Sequence, residues 1–252
     1  MKTVFYTIVI LFAISNLHAL TVTEFNEKVK KFEQAADYRQ ALSYIDSCQG
    51  KLKGVALFKL AEYYYWGRKE IPKDNILAKK YYKEAMEKLL PQAEAGDALA
   101  QYMVGVSISN TSRKRKKEFE WYSKSAAQGN TDAKVALAFC NLHGRGTKKN
   151  KKVALAILKD AVAAGNLTAK GCLASYYLCK RKDLNKGIKL AQEAADSGDA
   201  IGQYTLGMAY EKGRGVPKDL SKAIELYQKA ADQGQKDAKL RLKWALKKAG
   251  KK

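Results

Sequence analysis

Small residues at Ala56, Ala100, Ala133, Ala169 and Gly202, successively 44, 33, 36 and 33 residues apart, each open a version of the same short pattern. The fullest version runs from Ala200 to Gly234: AIGQYTLGMAYEKGRGVPKDLSKAIELYQKAADQG. Leu206, Gly207 and Tyr210 fall on one face of a 3.6-residue period, which predicts a helix. Gly207 lacks a side chain, so a neighbouring helix can come close there. Gly213-Arg214-Gly215-Val216-Pro217 stops that helix, with Gly213 as a left-handed cap and Pro217 unable to continue it. Ala223, Leu226, Tyr227, Ala230 and Ala231 form the apolar side of a second helix, ended by Gly234. A hairpin of two such helices cannot bury its apolar face alone, so successive copies must stack.

This stretch resembles a Sel1-like repeat, the helical-hairpin family related to tetratricopeptide repeats. The resemblance is carried by Leu206, Gly207, Tyr210, Gly213, Gly215, Val216, Asp219, Ala223, Tyr227, Lys229, Ala230, Ala231 and Gly234 at fixed offsets. Gly202 stands for the usual opening alanine and Leu226 for the first of an aromatic pair. The other copies keep parts of the pattern. The first has Leu60, Tyr64, Gly67, Asp74, Ala78, Tyr81, Tyr82 and Ala85, then an insertion from Met86 through Pro91. The second has Gly105, Trp121, Tyr122 and Gly129, with its loop glycines replaced by Arg113-Lys114-Arg115-Lys116-Lys117. The third keeps Gly144 and Gly146 but has Asn141 for the tyrosine. The fourth keeps Tyr177, Ala191, Ala194, Ala195 and Gly198, and has Lys180-Arg181-Lys182 in its loop.

The resemblance implies an all-α protein, an α/α superhelical solenoid with a concave side, whose five repeats span residues 55–237. Residues 20–54 read as a divergent helical hairpin, marked by Phe25, Val29 and Phe32 and then by Ala41, Leu42 and Ile45, that caps the array. Residues 238–252 read as a capping helix and basic tail. In that helix Leu240, Leu242, Trp244, Ala245 and Leu246 alternate with Lys239, Arg241, Lys243, Lys247 and Lys248, and it is expected to close the last apolar edge with a charged outer face.

Residues 1–19, MKTVFYTIVILFAISNLHA, combine Lys2, an apolar run from Val4 to Ile14 and Ala19 before a cleavage point. This reads as a secretory signal peptide, too short for a membrane span of about 20 residues. The expected location is therefore the periplasm or the cell exterior. Cys48, Cys140, Cys172 and Cys179 are an even number, which permits disulfides in an exported chain. Cys172 and Cys179 lie roughly 10.5 Å apart along one predicted helix at 1.5 Å per residue, beyond disulfide reach. Buried free thiols in helix packing are the expectation.

No catalytic constellation is present. His18 leaves with the signal peptide, and His143 alone cannot make a two-histidine zinc site. There is no phosphate-binding G-x-x-x-x-G-K-S/T, no S-x-x-K and no C-x-x-C. The expectation is a non-enzyme with no cofactor, no metal and no small-molecule substrate. Asn110-Thr111-Ser112 and Asn166-Leu167-Thr168 fit the N-glycosylation pattern, which matters only in a eukaryotic secretory path.

Two surfaces are candidates for binding. Lys plus Arg number 47 against 25 Asp plus Glu, a net charge of +22. Equivalent loops of a solenoid line up along one edge, so the loop charges, among them Lys69, Arg113, Lys114, Arg115, Lys148, Lys149, Arg181 and Arg214, would gather into a basic ridge attractive to anions. By the resemblance, first-helix positions two, six and nine after each anchor face the groove. They include Phe58, Tyr65, Tyr102, Phe139, Tyr204 and Met208, and aromatics in a groove suit recognition of a peptide or helix. The expected function is an exported, non-catalytic scaffold that binds another protein. The alternative is a binder of anionic envelope material: acidic polysaccharide, lipopolysaccharide or anionic lipid. Nucleic acid is less expected for an exported chain.

Overall fold

A computed structural model describes residues 21–35, 37–48, 52–68 and 71–250. The signal peptide expected at residues 1–19, Lys69 and the last two lysines lie outside the described residues. Thirteen helices occupy the described chain, with no strand among them. They are α1 (Val22–Gln34), α2 (Tyr38–Ser47), α3 (Lys53–Trp66), α4 (Asn75–Glu94), α5 (Ala98–Thr111), α6 (Arg115–Ala127), α7 (Thr131–His143), α8 (Lys151–Ala163), α9 (Leu167–Lys180), α10 (Leu184–Asp196), α11 (Ala200–Lys212), α12 (Leu220–Asp232) and α13 (Lys236–Ala249). The chain is an all-α helical-repeat solenoid. Each helix packs on the next, and first helices of neighbouring repeats also touch, α3 on α5, α7 on α9 and α9 on α11. That places the first helices on the inside of the curve.

Local chemistry sets the helix starts. Asp97, Asn130, Asn166 and Asp199 cap α5, α7, α9 and α11, each accepting from the backbone N–H three residues on. Asp74, Asn150, Asp183 and Asp219 do the same for α4, α8, α10 and α12. Such a cap contributes about 1 kcal/mol. The caps also tie repeats together. The Asn166 amide donates to Thr131 Oγ1 (3.0 Å) and Asp132 Oδ1 (2.8 Å), and the Thr168 hydroxyl donates to Asp199 Oδ2 (2.7 Å).

Within repeats, volume is traded between facing helices. Tyr82, Tyr122 and Tyr227, each eight residues after the residue at its helix's cap position, are buried. Opposite Tyr122 and Tyr227 the first helix carries Gly105 and Gly207. A Cβ there would meet the rings at 2.6 and 2.8 Å. The close approach foreseen at Gly207 is thus made by a tyrosine ring. In the third repeat the tyrosine position holds Leu158, and Ala138 faces it in the same cluster. The insertion after the first repeat forms no loop. It extends α4, so that Leu89 packs on Gly54 and Ala93 is buried.

The capping helix differs from its expected form. Ala238, Leu242 and Ala245 dock it on the fifth repeat. Its outer face is not uniformly charged: Leu240 is 58% and Trp244 70% exposed.

Candidate functional site

The array curves far enough to meet itself. The Arg68 guanidinium, in the loop after α3, donates to the carbonyl of Gln233 at the end of α12. Lys236 lies over the rings of Tyr65 (4.6 Å) and Trp66 (5.2 Å), and the Lys239 ammonium reaches the Trp66 carbonyl at 3.3 Å. Beside this seam is a cleft of about 630 Å³ lined by Glu33, Tyr38, Arg68, Asp232 and Gln233, among others. Tyr63 borders it, its hydroxyl donating to Glu33 at 3.0 Å and its ring facing Arg68 at 5.2 Å. Burial raises the Tyr63 phenol well above its ordinary range, with Glu33 adding to the effect.

Packing within the repeats and under α13, and the seam at Tyr65, cover most of the expected groove residues. Phe58 is a core residue, 2% exposed and edge-on to Tyr82, which corrects its assignment to a partner-facing wall. Tyr65 is half-buried at the seam. Tyr102 is half-buried against Tyr122, with ring centroids 6.2 Å apart, and burial raises its phenol. Tyr204 and Met208 are half-buried in the cluster that receives α13. Phe139 alone of the six is exposed, by 46%. It lies near the end of α7, its ring tilted against that of His143 (4.2 Å between centroids) and facing the Arg145 guanidinium (5.5 Å).

The basic edge remains open. Arg113, Lys114, Lys148, Lys149 and Arg181 are exposed, and Arg115 and Arg214 are half-buried. Arg115 is engaged, its guanidinium 2.9 Å from Glu118. Glu118 is 2% exposed and also pairs with Arg145 of the next repeat at 2.8 Å. Arg145 further donates to Ser109 at 2.8 Å. These bonds hold the loops after α5 and α7 side by side. Charges at 113–114 and 148–149 therefore flank the loops joined at Arg145.

Sequence reasoning missed Glu118, although a signal existed. It sits four residues after the helix-start position, where the other repeats carry Ala78, Ala154, Gly187 and Ala223. The four cysteines are free. Burial pushes the Cys140 thiol up to about 11 and the Cys172 thiol up to about 12. Asn166 is committed to capping and to Thr131 and Asp132, and Asn110 donates to the Val106 carbonyl. Among the described residues no group of acidic, histidine or cysteine side chains could hold a metal ion.

The family model described as Sel1 repeat matches residues 54–88, 98–130, 131–166, 175–199 and 200–235. The chain belongs to the Sel1 repeat family. A Sel1 repeat protein from Oxalobacter formigenes is 25% identical, with a TM-score of 0.52 over 86% of this chain and 86% of that one. The protein c5321, a protective antigen present in uropathogenic Escherichia coli strains and displaying an SLR fold, is also 25% identical. Its TM-score is 0.50, over 88% of this chain and 48% of that one. Pseudomonas aeruginosa 5086 shares the fold at 17% identity, with a TM-score of 0.50 over 83% of each chain. Sel1 repeat proteins are generally non-catalytic scaffolds for protein–protein interaction.

Proposed function

We propose that this Sel1 repeat chain is an exported, non-catalytic scaffold that holds an acidic protein partner on the surface centred on Phe139. The exposure of Phe139 carries this reading. It is an aromatic anchor in the middle of the array, beside Arg145 and followed by Lys148 and Lys149, whereas the other groove candidates are occupied by the chain's own packing. An exposed aromatic with flanking cations suits a partner segment that mixes an apolar residue with carboxylates. The basic edge would steer encounter and the aromatic would hold the bound state. Export rests on Lys2, the apolar run to Ile14 and Ala19.

The experiment is a pull-down from an envelope extract with three proteins: the parent, Phe139→Ser, and a triple variant with Arg113, Lys148 and Lys149 changed to Ser. A partner held by the parent should be lost with Phe139→Ser at any salt. With the triple variant it should bind more slowly, and added salt should mimic that change, since the Debye length shrinks from about 10 Å at 0.1 M to about 3 Å at 1 M. A partner retained equally by all three proteins places recognition elsewhere.

A further inference from the structure

Helix α13 is apolar on two opposite faces, and docking needs only one of them. Ala238, Leu242 and Ala245 face the fifth repeat. On the other side Leu240, Trp244 and Lys247 lie at i, i+4 and i+7, a single stripe of the helix surface. Leu240 and Trp244 are 58% and 70% exposed, and Leu246, on the flank, is 51% exposed. Lys243 and Lys248, also exposed, border the stripe. The helix has six basic residues and a single acid, Asp237. Positive charge continues past it into the first repeat's loop. Lys239 is held below its ordinary value by burial, then by Arg68 and Lys73 nearby.

The charge decides which occupant fits. A second copy would bring an equally basic face against this one, from a chain of net charge +22. A surface that is apolar just beneath a layer of negative charge satisfies both parts of the stripe. Indole and leucine side chains enter the boundary between headgroups and acyl chains, and lysines snorkel to the phosphates. Among the described residues no helix is long and apolar enough to cross a membrane, so the contact is peripheral.

We propose that α13 rests its Leu240–Trp244 face on an anionic lipid surface, with Lys243, Lys247 and Lys248 at the level of the lipid phosphates. Two apolar anchors and a few lysines give weak, reversible attachment. The helix would thereby concentrate the scaffold at a membrane while leaving Phe139, on a different helix, free for its partner.

The test uses the full chain as it exists after any processing. Vesicles of equal phosphatidylglycerol and phosphatidylcholine are compared with pure phosphatidylcholine vesicles by co-sedimentation. The parent should bind the mixed vesicles and ignore the neutral ones, and tryptophan emission should shift to the blue on binding. The Leu240→Ser/Trp244→Ser variant should lose affinity about tenfold or more, with helical circular dichroism and melting unchanged because both side chains are exposed. Trp244→Phe should bind like the parent but lose the emission shift. Equal binding by parent and double variant would overturn the proposal, since overall charge would then suffice. So would a parent that ignores the mixed vesicles, whether it dimerises through Trp244 or binds polyglutamate instead. None of these results touches the Phe139 reading, which fails or survives on its own pull-down.

Discussion

Arg68 donates from its guanidinium to the carbonyl of Gln233, a residue 165 positions later in the chain. Contacts in a helical array ordinarily join nearest neighbours only, so this bond marks a completed turn. Gly234 makes the approach possible. Its φ is +86°, and a Cβ there would lie 2.6 Å from the Gly67 carbonyl oxygen. Gly234→Val should cost about 2 kcal/mol through strain and overpacking and should open the seam. X-ray scattering would read a larger radius of gyration with helicity retained. An unchanged radius would mean that the repeat interfaces alone set the curvature.

Gly207 tests the fit inside one repeat. Its ideal Cβ lies 2.8 Å from the Tyr227 ring, and Tyr227 is fully buried with its hydroxyl donating to Glu211 at 2.6 Å. Gly207→Leu should cost about 2 kcal/mol or more by overpacking. Adding Tyr227→Ala should recover part of that loss, because the ring is what the new side chain strikes. Thermal melts of the two variants decide it. A double variant no better than the single would point to backbone displacement instead.

The period, the hairpins and the caps were legible because each is written within a few residues. Leu206, Gly207 and Tyr210 mark a helix face, and Gly213 marks that helix's end. The seam was not legible. No local pattern states the small rotation per repeat whose sum brings Gln233 to Arg68. The Phe58 assignment failed for a different reason: its angular position on the helix is right, but the Tyr82 ring of the same repeat covers it. The outer stripe of α13 lay within reach of the helical period, since Leu240 and Trp244 are four apart. Arg241 and Lys243 between them gave the segment the look of a charged surface.

Arg181 closes α9 in the left-handed conformation, φ +50°, at the position that Gly144 and Gly213 fill elsewhere. An L side chain pays roughly 1–2 kcal/mol for that conformation. Arg181→Gly should therefore stabilise the protein, by about 1 kcal/mol after allowing for the freer unfolded chain. Because Arg181 is exposed on the basic edge, the same variant removes one charge from that edge. A lower melting temperature would mean that the guanidinium contributes more than the backbone strain costs.

The thiols should separate by reactivity. Cys179 is exposed. Burial raises Cys172 from 9.0 to about 12, so near pH 8 it holds about a thousandth of an ordinary thiol's reactive thiolate. Cys140, at about 11 and buried, should also be slow. Timed treatment with a disulfide reagent, read by mass spectrometry, should show Cys179 modified first, the half-buried Cys172 more slowly and Cys140 last. Equal rates at Cys140 and Cys179 would reveal that α7 opens locally.

Glu118 and Arg145 should respond unequally to removal. The Glu118 carboxylate is buried, while the Arg145 and Arg115 side chains are 29% and 41% exposed. Removing Arg145 leaves a buried carboxylate with one partner fewer, and breaking a buried pair in this way costs about 3 kcal/mol. Removing Glu118 frees two guanidiniums that can turn toward water. Alanine already fills the equivalent position at Ala78, Ala154 and Ala223. Glu118→Ala should therefore cost about 1 kcal/mol or less, and Arg145→Met about 3 kcal/mol. The double variant should sit near Glu118→Ala alone, giving a coupling of about 3 kcal/mol in a double-mutant cycle. Denaturant titration of the four proteins measures it. If Glu118→Ala proves the costlier change, the carboxylate is holding the two loops together rather than merely being neutralised by them.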